Sequence, residues 1–180
     1  MGEIIEARPV KLFIAITYHN SDLYQQTLNQ LTDLFGSVEQ AYHYDFAAYT
    51  NYYEEEMGSD LQKTIVSFNS LVEKDNSPQL KYISNEIEDQ TANQQTYPAK
   101  RKVNIDPGYL TEAKVILLTT KNFAHRVYVG QGIFAEIALT YRKTGFSPNN
   151  WTYPDYRSEG VIQFFNEVRE KYRNQIRYKK

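Results

Sequence analysis

With 180 residues, 41% hydrophobic and 23% charged, the chain has the length and composition of one globular domain that buries a core without cross-links. A formal charge of −2 gives no global attraction to nucleic acid or an anionic membrane, and the lack of cysteine excludes disulfides, thiolate metal centres and a thiol nucleophile. No apolar run approaches the ~20 residues that span a bilayer, and MGEIIEARPV has no signal-peptide pattern, so the chain reads as cytoplasmic with no membrane partner.

Tyrosine is the outlier, with sixteen residues against nine Phe and one Trp. Its ring wants shelter and its hydroxyl wants a partner, which suits half-wet sheet faces, pockets and interfaces.

In chain order, KLFIAITY (Lys11 to Tyr18) is an unbroken apolar run and predicts a strand buried on both faces. Ser21 as cap, Leu28, Leu31 and Phe35 at helical spacing and Gly36 as stop predict a helix from Asp22 to Phe35. SVEQAYHYDF alternates, with Val38, Gln40, Tyr42, Tyr44 and Phe46 on one face, and predicts a half-exposed strand. AAYTNYYEEEMGSD breaks every period and reads as a loop or one short helical turn before the strand KTIVSFNSLV.

Ser77 as N-cap, Pro78 at the first helical position and the stripe Leu80, Ile83, Ile87 predict a second helix. TANQQTYPAKRK, which includes Lys100, reads as a long surface connection. KVNI, KVILLTT, HRVYV and IFAEIALTYRK follow as strands. FSPNNWTYPDYR is then an irregular arm. Val161, Phe165, Val168, Tyr172 and Ile176 predict a terminal helix capped by Ser158, its end bearing Arg173, Arg177, Lys179 and Lys180. The order predicts a single α+β domain over residues 1–180: a ferredoxin-like split βαβ core extended by an antiparallel hairpin and a C-terminal helix.

Four segments carry polar residues that fold alone does not explain. In NIDPGYL, Pro107-Gly108 fit the centre of a tight turn, and that turn would hold Asn104 and Asp106 beside the KRK cations, Lys102 among them. In YYEEEMG, Glu54 and Glu55 are either a solvated charge run or, with Asp106, ligands for a divalent metal.

In TTKNFAHRVYVGQGIFAE, strand phase puts Glu136 on a largely apolar face with Phe134, Ala138 and Thr140, where a carboxylate needs a partner. A three-residue loop Gly130-Gln131-Gly132 sets Arg126 opposite Glu136, whereas a two-residue loop turns Arg126 to the other face. That pair is a plain cross-strand bridge, or Glu136 positions Arg126 while Lys121, His125 and Arg126 face an anion. WTYPDYR, with Arg157, is either an aromatic lid or an arm packed on the sheet.

Phosphate loops, dinucleotide fingerprints, hydrolase elbows, HExxH and the RNP pattern are absent, so nucleic acid is set aside as a partner. The segments YYEEEMG, KVNIDPGYL, TTKNFAHRVYVGQGIFAE and WTYPDYRS resemble a family of bacterial and archaeal proteins catalogued as domain of unknown function 4416, over nearly the whole chain. Some members are labelled GTP-binding, but TTKN here lacks the Asp of a guanine-reading NKxD. The resemblance implies that the family's recurrent polar residues fall on these same four segments.

The expectation is a binder of a small anionic ligand, a nucleotide or phosphorylated metabolite. Lys102, Asn104, Lys121, His125, Arg126 and Arg157 would contact it. His125 with Asp106 or Glu136 would carry any acid–base chemistry. The alternative is an interaction or oligomerisation module, a homo-oligomer included.

Overall fold

The computed structural model describes residues 2–3, 6–93 and 101–177; Lys100, Lys179, Lys180 and most of the connection before Arg101 lie outside them. Among these residues the chain runs β1 (Val10–Tyr18), α1 (Ser21–Phe35), β2 (Val38–Asp45), α2 (Glu54–Met57), β3 (Gln62–Val72), α3 (Ser77–Ala92), β4 (Val103–Leu110), β5 (Lys114–Thr119), β6 (Val127–Gly130), β7 (Ile133–Arg142), β8 (Gly145–Pro148) and α4 (Glu159–Arg177). The fold is α+β. Eight strands form one antiparallel sheet in the order β2-β3-β1-β4-β5-β7-β6, and β8 follows β6 along the same edge of β7.

β1 lies near the middle of the sheet, and its continuous apolar run serves two cores. Leu12, Ile14 and Ile16 pack with Leu23 and Leu31 of α1 and Leu80 and Ile87 of α3. Phe13 and Ala15 pack with Val161, Phe165 and Val168 of α4 on the other face. Each such buried Leu, Ile, Val or Phe side chain stabilises the fold by about 1.5–3 kcal/mol. The helices thus take opposite sides of the sheet and leave its lower end, at β4 and β5, to the site.

Several local expectations shift. Asn20, not Ser21, caps α1: its Oδ1 accepts the N–H groups of Asp22 at 2.7 Å and Leu23 at 3.3 Å. A 3₁₀ turn over Lys74–Asn76 leads into α3, so Ser77 is already helical and Asn76 holds the cap position. The arm after β7 begins with an unforeseen strand, β8, whose four residues are too few to show a period.

The larger correction concerns NIDPGYL. Pro107-Gly108 form no turn; β4 runs straight through them and pairs with β1 from Lys11↔Leu110 to Tyr18↔Val103. On its other side β4 meets β5 only at Gly108↔Leu117, Tyr109↔Ile116 and Leu110↔Val115. Gly108 is required by close approach: a Cβ there would lie 2.4 Å from the Phe13 ring and 2.3 Å from the Ile116 carbonyl oxygen. Pro107 stands where the β4–β5 ladder stops, a place where a missing N–H leaves no bond unmade.

Candidate functional site

Below Gly108 the strands β4 and β5 part, and the backbone polar groups left facing the gap need other partners. Helix α3 supplies them. Glu88 Oε1 accepts the Ile105 N–H at 2.7 Å, and Lys81 Nζ donates to the Ile105 carbonyl at 2.8 Å. N–H and C=O of one strand residue point the same way and alternate along the strand, so Pro107, two residues on, also turns its nitrogen to the gap. Lys81 reaches further, to 3.5 Å from Asp106 Oδ1, joining the α3 side of the sheet to the face that carries Asp106.

The parted strands floor a cavity of about 430 Å³, within the range that small-molecule ligands occupy. Its wall brings together five cations, Lys63, Lys81, Arg101, Lys121 and Arg126, and three carboxylates, Asp106, Glu136 and Asp155. Tyr49, Tyr52, Tyr53, Tyr153 and Tyr156 supply much of the remaining surface, which accounts for part of the tyrosine excess.

The charges are mostly committed. Lys63 Nζ donates to Asp155 Oδ2 at 2.8 Å and stands 3.6 Å from the centre of the Phe46 ring. Arg101 holds Glu88 through a short charged hydrogen bond and lies over the Tyr53 ring. Burial pushes the Asp106 carboxyl up, but Lys81, Lys63, the Asn104 amide and Arg101 outweigh it and hold the group below its ordinary value. Lys121 has no carboxylate within ion-pair range among the described residues; its ammonium donates to Tyr52 Oη at 3.3 Å. Cations therefore outnumber carboxylates at the wall, and the unpaired one stands at the exposed rim.

Arg126 and Glu136 pair as strand phase required, although the hairpin differs from the expected one. The loop is the two-residue Gln131-Gly132, with φ of 53° and 75°, closed by Gly130↔Ile133. A bulge at Val129 adds one residue to β6 and restores Tyr128↔Phe134 and Val127↔Ala135, so Arg126 still comes opposite Glu136. Arg126 Nε donates to Glu136 Oε2 at 2.7 Å, Nη1 to the Lys121 carbonyl at 3.0 Å and Nη2 to Tyr153 Oη at 2.7 Å. Three of its five guanidinium N–H groups are used in these bonds.

His125 Nε2 lies 3.1 Å from the same Glu136 oxygen, and its ring stacks on Trp151 at 5.5 Å. It sits behind Glu136 and not on the cavity wall; Glu136, not Asp106, is its partner.

Asn104, Asp106, Lys121, Arg126 and Glu136 thus converge on one cavity. Lys102 does not: it is 3% exposed and off the wall. Arg157 is also elsewhere, donating to the carbonyls of Asn149, Asn150 and Thr152 and so folding the arm before α4. Glu54 and Glu55 are exposed on α2, which is anchored by buried Met57, and they do not meet Asp106. Among the described residues no group of three His, Asp or Glu stands close enough to hold a metal ion, so Glu54, Glu55 and Asp106 do not form one ligand set.

Sequence reasoning missed Lys63, Lys81 and Glu88, while Arg101 and Asp155 fell within the KRK and WTYPDYR segments without an assigned partner. Two of these were open to the same parity argument that found Glu136. Lys63 shares a strand face with buried Ile65 and Ser67, and Lys81 lies beside Leu80 on the buried side of α3. Asp155 is fixed by Lys63 and by Tyr44, whose hydroxyl donates to it at 2.8 Å, a contact across 111 residues that no local pattern encodes.

No curated protein and no solved structure matches the chain. A family model does, over residues 8–172, and the family's own description assigns it no activity. The chain belongs to the family described as Domain of unknown function (DUF4416).

Proposed function

We propose that the protein binds a small anionic ligand, a nucleotide or phosphorylated metabolite, in the cavity between β4 and β5. The observation that carries the reading is the surplus of cations on a partly buried, tyrosine-lined wall, with Lys121 lacking a carboxylate partner at its rim. Arg126 is held rigid by Glu136, Tyr153 and the Lys121 carbonyl, which suits a group meant to meet an anion with little entropy cost. A thermal-shift screen against phosphates and nucleotides tests it. A ligand at a hundred times its Kd stabilises by about 2.7 kcal/mol, and Lys121→Ala and Arg126→Ala should each erase the shift. Retention of binding in both variants would overturn the assignment.

A second reading, an oligomerisation module, rests on the edge strand β6, where Val127 is 68% and Tyr128 59% exposed. An exposed apolar edge is a template for strand pairing between copies. Sedimentation equilibrium decides it: a dimer lost in Val127→Lys supports this reading, and a monomer at all concentrations removes it.

A further inference from the structure

The three carboxylates of the cavity wall differ in what a ligand can reach. The side chains of Asp155 and Glu136 are 3% and 1% exposed, closed in by Lys63 and Arg126. Asp106 is open, its side chain 34% exposed. Its Oδ2 accepts the Asn104 amide at 2.6 Å, while Oδ1 stands 3.5 Å from the Lys81 ammonium, too far for a full hydrogen bond. Against its desolvation, Lys81, Lys63, the Asn104 amide and Arg101 keep the group ionised. A ligand in the cavity therefore meets one accessible carboxylate and needs a donor to place on it.

The kind of donor follows from the neighbours. Lys81, Lys63 and Arg101 all bring positive charge to Asp106, so an ammonium on the ligand would enter as one more cation among them. A hydroxyl suits the place better. It gives its proton to Oδ1, and its lone pairs accept from an N–H of Arg101, which is partly exposed at the same wall. Tyr49 and Tyr53 line the cavity and offer a carbon skeleton apolar ring faces. Lys121, the wall cation without a carboxylate partner among the described residues, lines it too. At about 430 Å³ this is a space that one small molecule fills, so a single ligand can meet both Asp106 and Lys121.

We infer that the ligand is a phosphorylated polyol, the chemistry shared by a sugar phosphate and the ribose phosphate of a nucleotide, with a hydroxyl donating to Asp106 Oδ1 and its phosphate beside Lys121. This rests on the anion-site reading above and adds the group that the ligand carries besides its charge.

The test is isothermal titration of the full chain with four probes: glycerol 3-phosphate; propyl phosphate, which keeps the carbon chain and lacks the hydroxyls; phosphoethanolamine, which carries an ammonium instead; and inorganic phosphate. Glycerol 3-phosphate should bind about tenfold more tightly than propyl phosphate, because a site built to accept a hydroxyl rejects the analogue that lacks it. Phosphoethanolamine should also be weaker than glycerol 3-phosphate. Asp106→Asn should erase most of the tenfold preference while inorganic phosphate, relieved of the carboxylate's repulsion, binds severalfold more tightly. A merely structural loss would weaken every probe. Lys121→Ala, at an exposed position, should weaken all four alike. Ribose 5-phosphate and adenosine 5′-monophosphate then distinguish the two sources: a tighter nucleotide assigns the ribose of a nucleotide, and equal binding assigns a sugar phosphate.

Equal binding of glycerol 3-phosphate and propyl phosphate by the unaltered protein overturns the inference and leaves the anion site standing. Tighter binding of phosphoethanolamine overturns it in the same way. If none of the phosphates binds, the anion reading falls and this inference with it.

Discussion

Glu88 accepts the backbone N–H of Ile105 at 2.7 Å, doing from a helix what a β5 carbonyl does in a closed sheet. The same carboxylate holds Arg101 and lies 3.9 Å from Lys81. Glu88→Ala removes the closest carboxylate from Arg101 and leaves the buried Ile105 N–H without an acceptor, and is expected to cost about 2–4 kcal/mol. Glu88→Gln keeps an acceptor for Ile105 and should cost distinctly less. Urea unfolding of the two variants measures the difference; equal losses would mean that the charge, and not the strand's N–H, is what Glu88 serves.

Gly108 carries the close approach of β4 to Phe13 and to the Ile116 carbonyl. Because the obstacles are a core ring and backbone, a methyl group there has nowhere to go. Gly108→Ala should destabilise by about 1–3 kcal/mol through overpacking, seen as a lower urea midpoint at unchanged slope. A neutral result would show that β4 can move away from β1 at this point.

The contrast between these two residues marks where the sequence was readable. Periodicity revealed β1, α1, α3, α4 and the hairpin strands because each buries a face against the sheet, and burial writes itself into local spacing. It also exposed Glu136, since a carboxylate in phase with Ala138 breaks the pattern visibly. Pro107-Gly108 misled because turn chemistry is judged from neighbours in sequence, while here proline marks the end of a ladder and glycine makes room for Phe13 of another strand. Lys81–Ile105 and Lys63–Asp155 are likewise fixed by where strands part and where the arm before α4 lands; spacing marks Lys63 and Lys81 as inward-facing but holds no trace of what they meet.

Asp106 sets stability against binding. Its pKa is lowered in the fold from an ordinary 3.8, so the carboxylate contributes stability above that value, and the contribution fades as pH falls through the lower folded value. Asp106→Asn should lower stability near neutral pH and flatten the acid limb below about pH 4. The same change removes a negative charge from the cavity wall, so it should tighten phosphate binding severalfold. Thermal unfolding against pH, with titration of the same ligand, separates the two effects; a variant that binds more weakly would remove Asp106 as the wall's brake on anions.

On the alkaline side the tyrosines decide. Burial, reinforced by Asp155, pushes the Tyr44 phenol far above its ordinary 10.0, and burial raises Tyr53 and Tyr156 as well. For an acid whose folded pKa is raised, stability is full below the unfolded value and falls once pH passes it, by about 1.4 kcal/mol per pH unit for each such group. Three of them acting together make the slope steep enough to unfold a domain of ordinary stability within a few pH units of 10. Phenolate absorbance followed against pH should therefore show a set of tyrosines that ionises in one step coincident with loss of helix signal. Tyr44→Phe removes one of the buried phenols together with its bond to Asp155, so it should make that step shallower while lowering stability at neutral pH. A smooth titration of every tyrosine with the fold intact would show that the cavity and its surroundings admit hydroxide freely, and would contradict the partial burial of Tyr44 and the full burial of Tyr156.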